Sequence, residues 1–204
     1  RTELQRLQEV YRRLPLGIGK KIKYAGILTD EKSAHIKRCV DLLTMAGIVN
    51  RVFYTDCGGL PLRAGIDRNI YKLYWLDCGL LNRMQGLTWD SLEKQEVISY
   101  EGSLAEQFVV QELLAHDLSS DPQPLCYWLR EGKKGNAEVD FVVQQGRVIL
   151  PMEVKSGTAG SLKSLAQLIA KTGAKSAIKL SRMPPASHHV TIDVHVGNFL
   201  QNVA

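Results

Sequence analysis

Residues Glu138 to Ser156 read EVDFVVQQGRVILPMEVKS, and the fold turns on how this stretch divides. Two apolar runs flank Gln144-Gln145-Gly146, a pattern that predicts two strands joined by a tight turn. Each strand nevertheless carries charge: Asp140 in the first, Glu153 and Lys155 in the second. Residues i and i+2 of a strand share a face, so Glu153 and Lys155 point one way while Met152 and Val154 point the other. Charges gathered on a half-covered sheet cost free energy unless they pair or bind something.

The spacing raises a difficulty. A three-residue turn at Gln144-Gln145-Gly146 pairs Val143 with Arg147 and sets Asp140 opposite Leu150. Glu153 is then three residues further on, roughly 10 Å along a strand. Pro151 lacks a ladder donor, so a bulge or bend is expected at Leu150 to Met152, closing the gap.

Outward from the hairpin, EGSLAEQFVVQELLAHDL places Leu104, Phe108, Val109, Leu113 and Leu114 on an amphipathic helix. LCYWLRE reads as a strand, GSLKSLAQLIAKTG as a helix closed by Gly173, and KSAIKLS and VTIDVHV as strands. Helices alternating with strands imply an α/β domain with the charged hairpin near its centre. The expected boundaries are 98–204 for this domain and 1–97 for a helical, winged-helix-like segment before it.

In that first segment, Leu4, Leu7, Val10, Tyr11 and Leu14 recur at helical spacing, and Pro15 and Gly17 end the helix. Asp30 reads as an N-cap with Glu31 in the first turn. The helix that follows runs to about Ala46, burying Val40, Leu43 and Met45 or their neighbours, with Gly47 at its C-cap. IVNRVFYT and IYKLYWLD then read as strands around a Gly- and Pro-containing loop, the outline of a winged helix-turn-helix. On the helix, Lys32, Lys37 and Arg38 would reach phosphates, with Ser33 and His35 near base edges. The same surfaces also serve protein docking.

Charge is unequally shared. Residues 1–100 hold 16 Lys or Arg against 11 Asp or Glu, while residues 101–204 hold 10 of each. A basic first half suits an anionic partner such as DNA or RNA. The four cysteines, Cys39, Cys57, Cys78 and Cys126, form no C-x-x-C pair, which fits reduced thiols in a cytoplasmic protein better than a zinc site or disulfide framework. No run reaches the ~18 apolar residues of a membrane span. His188, His189 and His195 fit no standard metal spacing.

Asp140 followed by Glu153-Val154-Lys155 resembles the D…(D/E)-x-K signature of the PD-(D/E)xK, restriction-endonuclease-like superfamily. Glu106 in SLAEQFVVQEL matches the acid those proteins carry on the preceding helix. The resemblance implies Glu106, Asp140 and Glu153 as carboxylates around Mg²⁺ or Mn²⁺, and Lys155 beside the attacking water. Lys163 and Gln167 are weaker candidates on the next helix.

A longer series of motifs, YWLDCGLL, EGSLAEQFVVQEL, YWLR, EVDFVV and PMEVKSG, is similar to a domain-of-unknown-function family. That family forms the C-terminal half of many prokaryotic P-loop ATPases of the AAA type. It implies an upstream ATPase domain as partner. ATP would bind only there, because GIGKK at Gly17 lacks the Walker spacing. An N-terminal arginine in place of methionine fits the loss of such a domain. The function implied is a Mg-dependent nuclease-like module acting on or binding nucleic acid, and self-association is a further expectation. A catalytically inactive regulatory or docking domain is the alternative.

Overall fold

The computed structural model describes residues 2–87, 101–117, 122–132, 135–156, 161–181 and 191–195, with only the backbone for Glu101 and 191–195. The chain divides into two units: Arg1–Arg51 with Ile70–Gln111, and Val52–Asn69 with Glu112–Ala204. The boundary expected at residue 97 lies outside the described residues.

In the first unit, α1 (Glu3–Arg13) begins at a capping box. Gln5 N donates to Thr2 Oγ1 (3.2 Å) and Thr2 N donates to Gln5 Oε1 (2.9 Å), which satisfies two otherwise orphaned donors. Arg12 and Arg13 close the helix and Pro15 directs the chain into a 3₁₀ turn, Leu14–Gly17.

Helix α2 (Ser33–Met45) departs from expectation at both ends. Its N-cap is Lys32, which makes no side-chain cap bond. Asp30 lies two residues too early. Glu31 instead accepts from Arg6 Nε (2.9 Å) and His35 Nδ1 (3.2 Å), and the bond to Arg6 holds its carboxyl below the usual range, with His35 adding to the effect. The helix buries Ile36, Cys39, Val40 and Leu43, an i, i+3, i+4, i+7 stripe. Met45 falls off that stripe and is 84% exposed. Gly47 follows the Ala46 C-cap with φ +70°, as expected.

Strands β1 (Val49–Thr55) and β2 (Ile66–Trp75) follow, then α3 (Cys78–Met84), capped by Asp77 through Leu80 N (2.7 Å). Helix α4 (Glu101–His116) contributes its first eleven residues to this unit. Its buried Gln107 acts as a strand surrogate. The amide accepts from Trp75 N (2.7 Å) and donates to Trp75 O (2.8 Å), while Gln111 accepts from Cys78 N (3.0 Å).

The second unit contains β3 (Cys126–Arg130), β4 (Ala137–Gln145), β5 (Val148–Lys155), α5 (Lys163–Thr172), β6 (Ala177–Ser181) and β7 (Thr191–His195). The sheet order is β2-β1-β3-β4-β5-β6-β7. Pairing is parallel for β1–β3, β5–β6 and β6–β7, and antiparallel for β3–β4 and β4–β5. The result is an α/β mixed sheet. β1 has a neighbour on each side, with Phe53 opposite Cys126, so it is no arm of a free two-stranded wing.

Leu165 and Leu168 of α5 pack on Cys126, Trp128, Ala137, Val139 and Val142. The β1–β2 connection closes over this core. Leu62 N donates to Gln144 Oε1 (2.8 Å), and Lys171 Nζ to the carbonyl of Asp56. A Cβ on Gly65 would stand 2.2 Å from Asp56 Oδ1, so any larger residue there would have to displace the Asp56 carboxylate.

Candidate functional site

Two corrections to the hairpin decide where Asp140 stands. The turn has two residues, Gly146 and Arg147, because Gly146 adopts φ +58°, a conformation without steric cost for glycine. The register therefore runs Gln145↔Val148 through Phe141↔Met152. Continued one step, it sets Asp140 opposite Glu153, and the separation of roughly 10 Å does not arise.

The distortion expected at Leu150 to Met152 is also elsewhere. Val142 pairs regularly with Pro151. The irregularity lies between β3 and β4, where Asp140 and Phe141 together oppose Tyr127, between the pairs Trp128↔Val139 and Cys126↔Val142. A bulge of this kind re-aims side chains.

Asp140 is half-buried, and its Oδ2 accepts the N–H of Val154 at 2.8 Å. That nitrogen is bonded to the carbonyl carbon of Glu153, so the carboxylate oxygen lies within about 5 Å of Glu153 Cα. Lys155 Nζ donates to Glu153 Oε1 at 2.6 Å. Strand alternation thus brings these two together as expected, but as a covered pair: the side chains are 7% and 24% exposed. An exposed surface pair, worth ~0–1 kcal/mol, does not describe it. Across the parallel pairing, Lys179 stands opposite Glu153 and Ser181 opposite Lys155. The sequence singles out neither residue: in KSAIKLS the apolar Ile178 and Leu180 mark the opposite face.

Glu106 belongs to the other unit. Its Oε2 accepts from Tyr74 Oη (2.6 Å) and lies 3.5 Å from Nζ of Lys72, which is 2% exposed. Among the described residues no three His, Cys, Asp or Glu gather as a metal-binding group. The donors at the hairpin are the carboxylates of Asp140 and Glu153. They are hard oxygen ligands of the type Mg²⁺ takes, one or two at a time, with water and phosphate completing the shell.

Lys163 opens α5, with its N–H bonded to Ser161 Oγ (3.2 Å), and Gln167 is exposed on the same helix. On the opposite side of β5, Leu150 and Met152 line a cavity of about 330 Å³ together with Arg63, Leu113 and His116.

The expected nucleic-acid residues are all exposed: Lys32 at the N-cap of α2, and Ser33, His35, Lys37 and Arg38 on the helix. Three of them face acids: Arg38 Nε–Glu3 at 2.9 Å, Lys37 Nζ–Asp41 at 3.8 Å and His35 Nδ1–Glu31 at 3.2 Å. His188 and His189 lie outside the described residues, and only the backbone of His195 is described. Among the described residues no helix is long and apolar enough to cross a membrane.

Two family models match the chain, both described as domains of unknown function: DUF8612 over residues 1–91 and DUF4143 over residues 101–186. No curated protein and no solved structure matches it.

Proposed function

We propose that the second unit is a PD-(D/E)xK-type, nuclease-like module belonging to a larger AAA-type ATPase. The single observation carrying this reading is the meeting of Asp140, Glu153 and Lys155. The Asp140 carboxylate bonds the peptide between Glu153 and Val154, and Lys155 bonds Glu153. The similarity to DUF4143, a domain that accompanies AAA ATPases, supports the setting. ATP hydrolysis would come from an upstream P-loop domain in a cytoplasmic assembly.

Asp140 and Glu153 would hold Mg²⁺ or Mn²⁺, which supplies Lewis-acid stabilisation of a phosphodiester and lowers the pKa of a bound water. Lys155 would leave Glu153 for the phosphate or the attacking water. Its ammonium is a mobile point charge on a flexible stem, suited to that exchange. Glu106 accepts from Tyr74 and lies 3.5 Å from Lys72, so a ligand role for it would also mean exchanging protein partners.

The test is cleavage of labelled single- and double-stranded DNA and RNA with Mg²⁺ or Mn²⁺, run beside EDTA, Asp140→Asn and Lys155→Ala. Metal-dependent cleavage lost in both variants is expected. Cleavage surviving both would remove the site.

A second reading has its own support: Asp140 and Glu153 are each already engaged by protein groups. Under it the unit is an inactive docking or regulatory domain. Absence of both cleavage and calorimetric Mn²⁺ binding would select it.

A further inference from the structure

The chain's net charge has one address. Between Val10 and Thr29 lie Arg12, Arg13, Lys20, Lys21 and Lys23, with no Asp or Glu. Without these five, 21 of the 26 basic residues remain against 21 acidic ones, so the whole formal charge of +5 comes from this stretch. Arg12, Arg13, Lys20 and Lys23 are exposed and Lys21 is half-buried.

The first unit draws the stretch together. Arg13 Nη1 donates to the carbonyl of Ile27 (3.3 Å), tying the last turn of α1 to the 3₁₀ turn Tyr24–Gly26 and its neighbour Lys23. The N–H groups of Gly19 and Ile22 donate to Leu73 O (3.2 Å) and Tyr71 O (3.0 Å), fixing the lysine-bearing segment along β2. Attraction to the α1 dipole favours Arg12 and Arg13. It gives no account of Lys20, Lys21 and Lys23, and concentrated like charge destabilises a fold by self-repulsion.

We propose that Arg12, Lys20 and Lys23, with Arg13 and Lys21 beside them, form a strip that binds the phosphate backbone of nucleic acid without sequence preference. The α2 face is a poorer candidate, because Lys37, Arg38 and His35 are matched there by Asp41, Glu3 and Glu31. An anionic membrane is disfavoured as partner. Interfacial binding needs an apolar face beside the basic one, and Leu16 is the one exposed large apolar side chain between Val10 and Thr29. The strip needs no metal and uses none of the residues of the nuclease-like reading.

The experiment is fluorescence anisotropy of the full chain with a labelled DNA duplex, in EDTA, across a salt series. Each phosphate contact contributes about 0.9 to the slope of log affinity against log salt. The triple variant Arg12→Gln/Lys20→Gln/Lys23→Gln should lower that slope by about 2 to 3 and weaken low-salt binding by about tenfold or more. Lys20→Gln alone, the milder change, should lower it by about 1. Lys37→Gln/Arg38→Gln should leave both quantities nearly unchanged, with native far-UV dichroism confirming each fold.

The proposal falls if the α2 variant loses as much as the strip variant, if the slope survives the triple change, or if the wild-type chain binds phosphatidylglycerol vesicles and not DNA. Asp140→Asn separates this strip from the nuclease-like reading. Intact binding without cleavage by the wild type sinks only the latter, whereas cleavage with no contribution from the strip sinks only the former.

Discussion

Asp140 holds β5 in place as well as offering a ligand, and the two roles separate by substitution. Its carboxylate takes the Val154 N–H where the β4–β5 ladder gives out. Asp140→Leu leaves that buried-strand donor without its acceptor, at a cost of about 1–3 kcal/mol. Asp140→Asn keeps an acceptor oxygen and should cost well under half as much. Urea unfolding of the two variants measures the difference, and equal losses would show that the bond is idle. The residue was legible in the sequence because charge in an apolar strand is conspicuous. Its bond was not, because the turn length that sets the register rests on the left-handed Gly146, one residue away from the turn that the sequence suggested.

Two core thiols carry a pH dependence of definite sign. Burial pushes Cys57 from 9.0 up to about 11 and Cys126 up to about 12. In the unfolded chain both ionise near 9, so above that pH the unfolded state binds fewer protons than the folded one. Their contribution is complete below about 9 and is lost as pH climbs toward about 12. Tyr54 and Tyr71 phenols, also raised by burial, add a fall of the same sign at higher pH. The urea midpoint should therefore drop as pH rises above about 9, and a Cys57→Ala/Cys126→Ala chain should show a shallower drop. An unchanged pH profile in that double variant would place the dependence elsewhere.

At the scale of elements, periodicity carried most of the reading. The α2 stripe, the helix ending at Gly173, the hairpin and the closing strands all follow from apolar spacing and glycine position. Contacts between distant segments left no local trace. Parallel pairing of β1 with β3 joins Phe53 to Cys126 across more than seventy residues, so the β1–β2 ribbon looked like a wing when read alone. Gln107 was hidden for a related reason: glutamine on an amphipathic helix reads as solvent-facing, yet it is 0% exposed and serves Trp75 as a neighbouring strand would. Gln107→Leu fills the same space and strands both backbone groups, at about 1–3 kcal/mol for each. Gln107→Glu puts a carboxylate with no exposure against the Trp75 carbonyl oxygen, so at neutral pH it should cost at least as much as Leu. Thermal midpoints of both variants below wild type support the surrogate role, and a Leu variant as stable as wild type would refute it.

For the whole molecule, the division into two units predicts how the chain unfolds. The chain passes between units after Arg51, Asn69 and Gln111, and each passage falls inside a regular element: β1, β2 and α4. Units joined through loops unfold separately, because a loop transmits little of one unit's loss to the other. A strand or helix that continues across the division behaves differently, since melting one end removes hydrogen bonds that order the next turn or rung. Trp75 reports on the first unit and Trp128 on the second. In a Trp89→Phe background, single-tryptophan chains made by Trp75→Phe or Trp128→Phe should give coincident urea midpoints and matching slopes. Midpoints that separate by more than the destabilisation each substitution itself causes would mean that the three shared elements break at the division, and that either unit keeps its fold without the other.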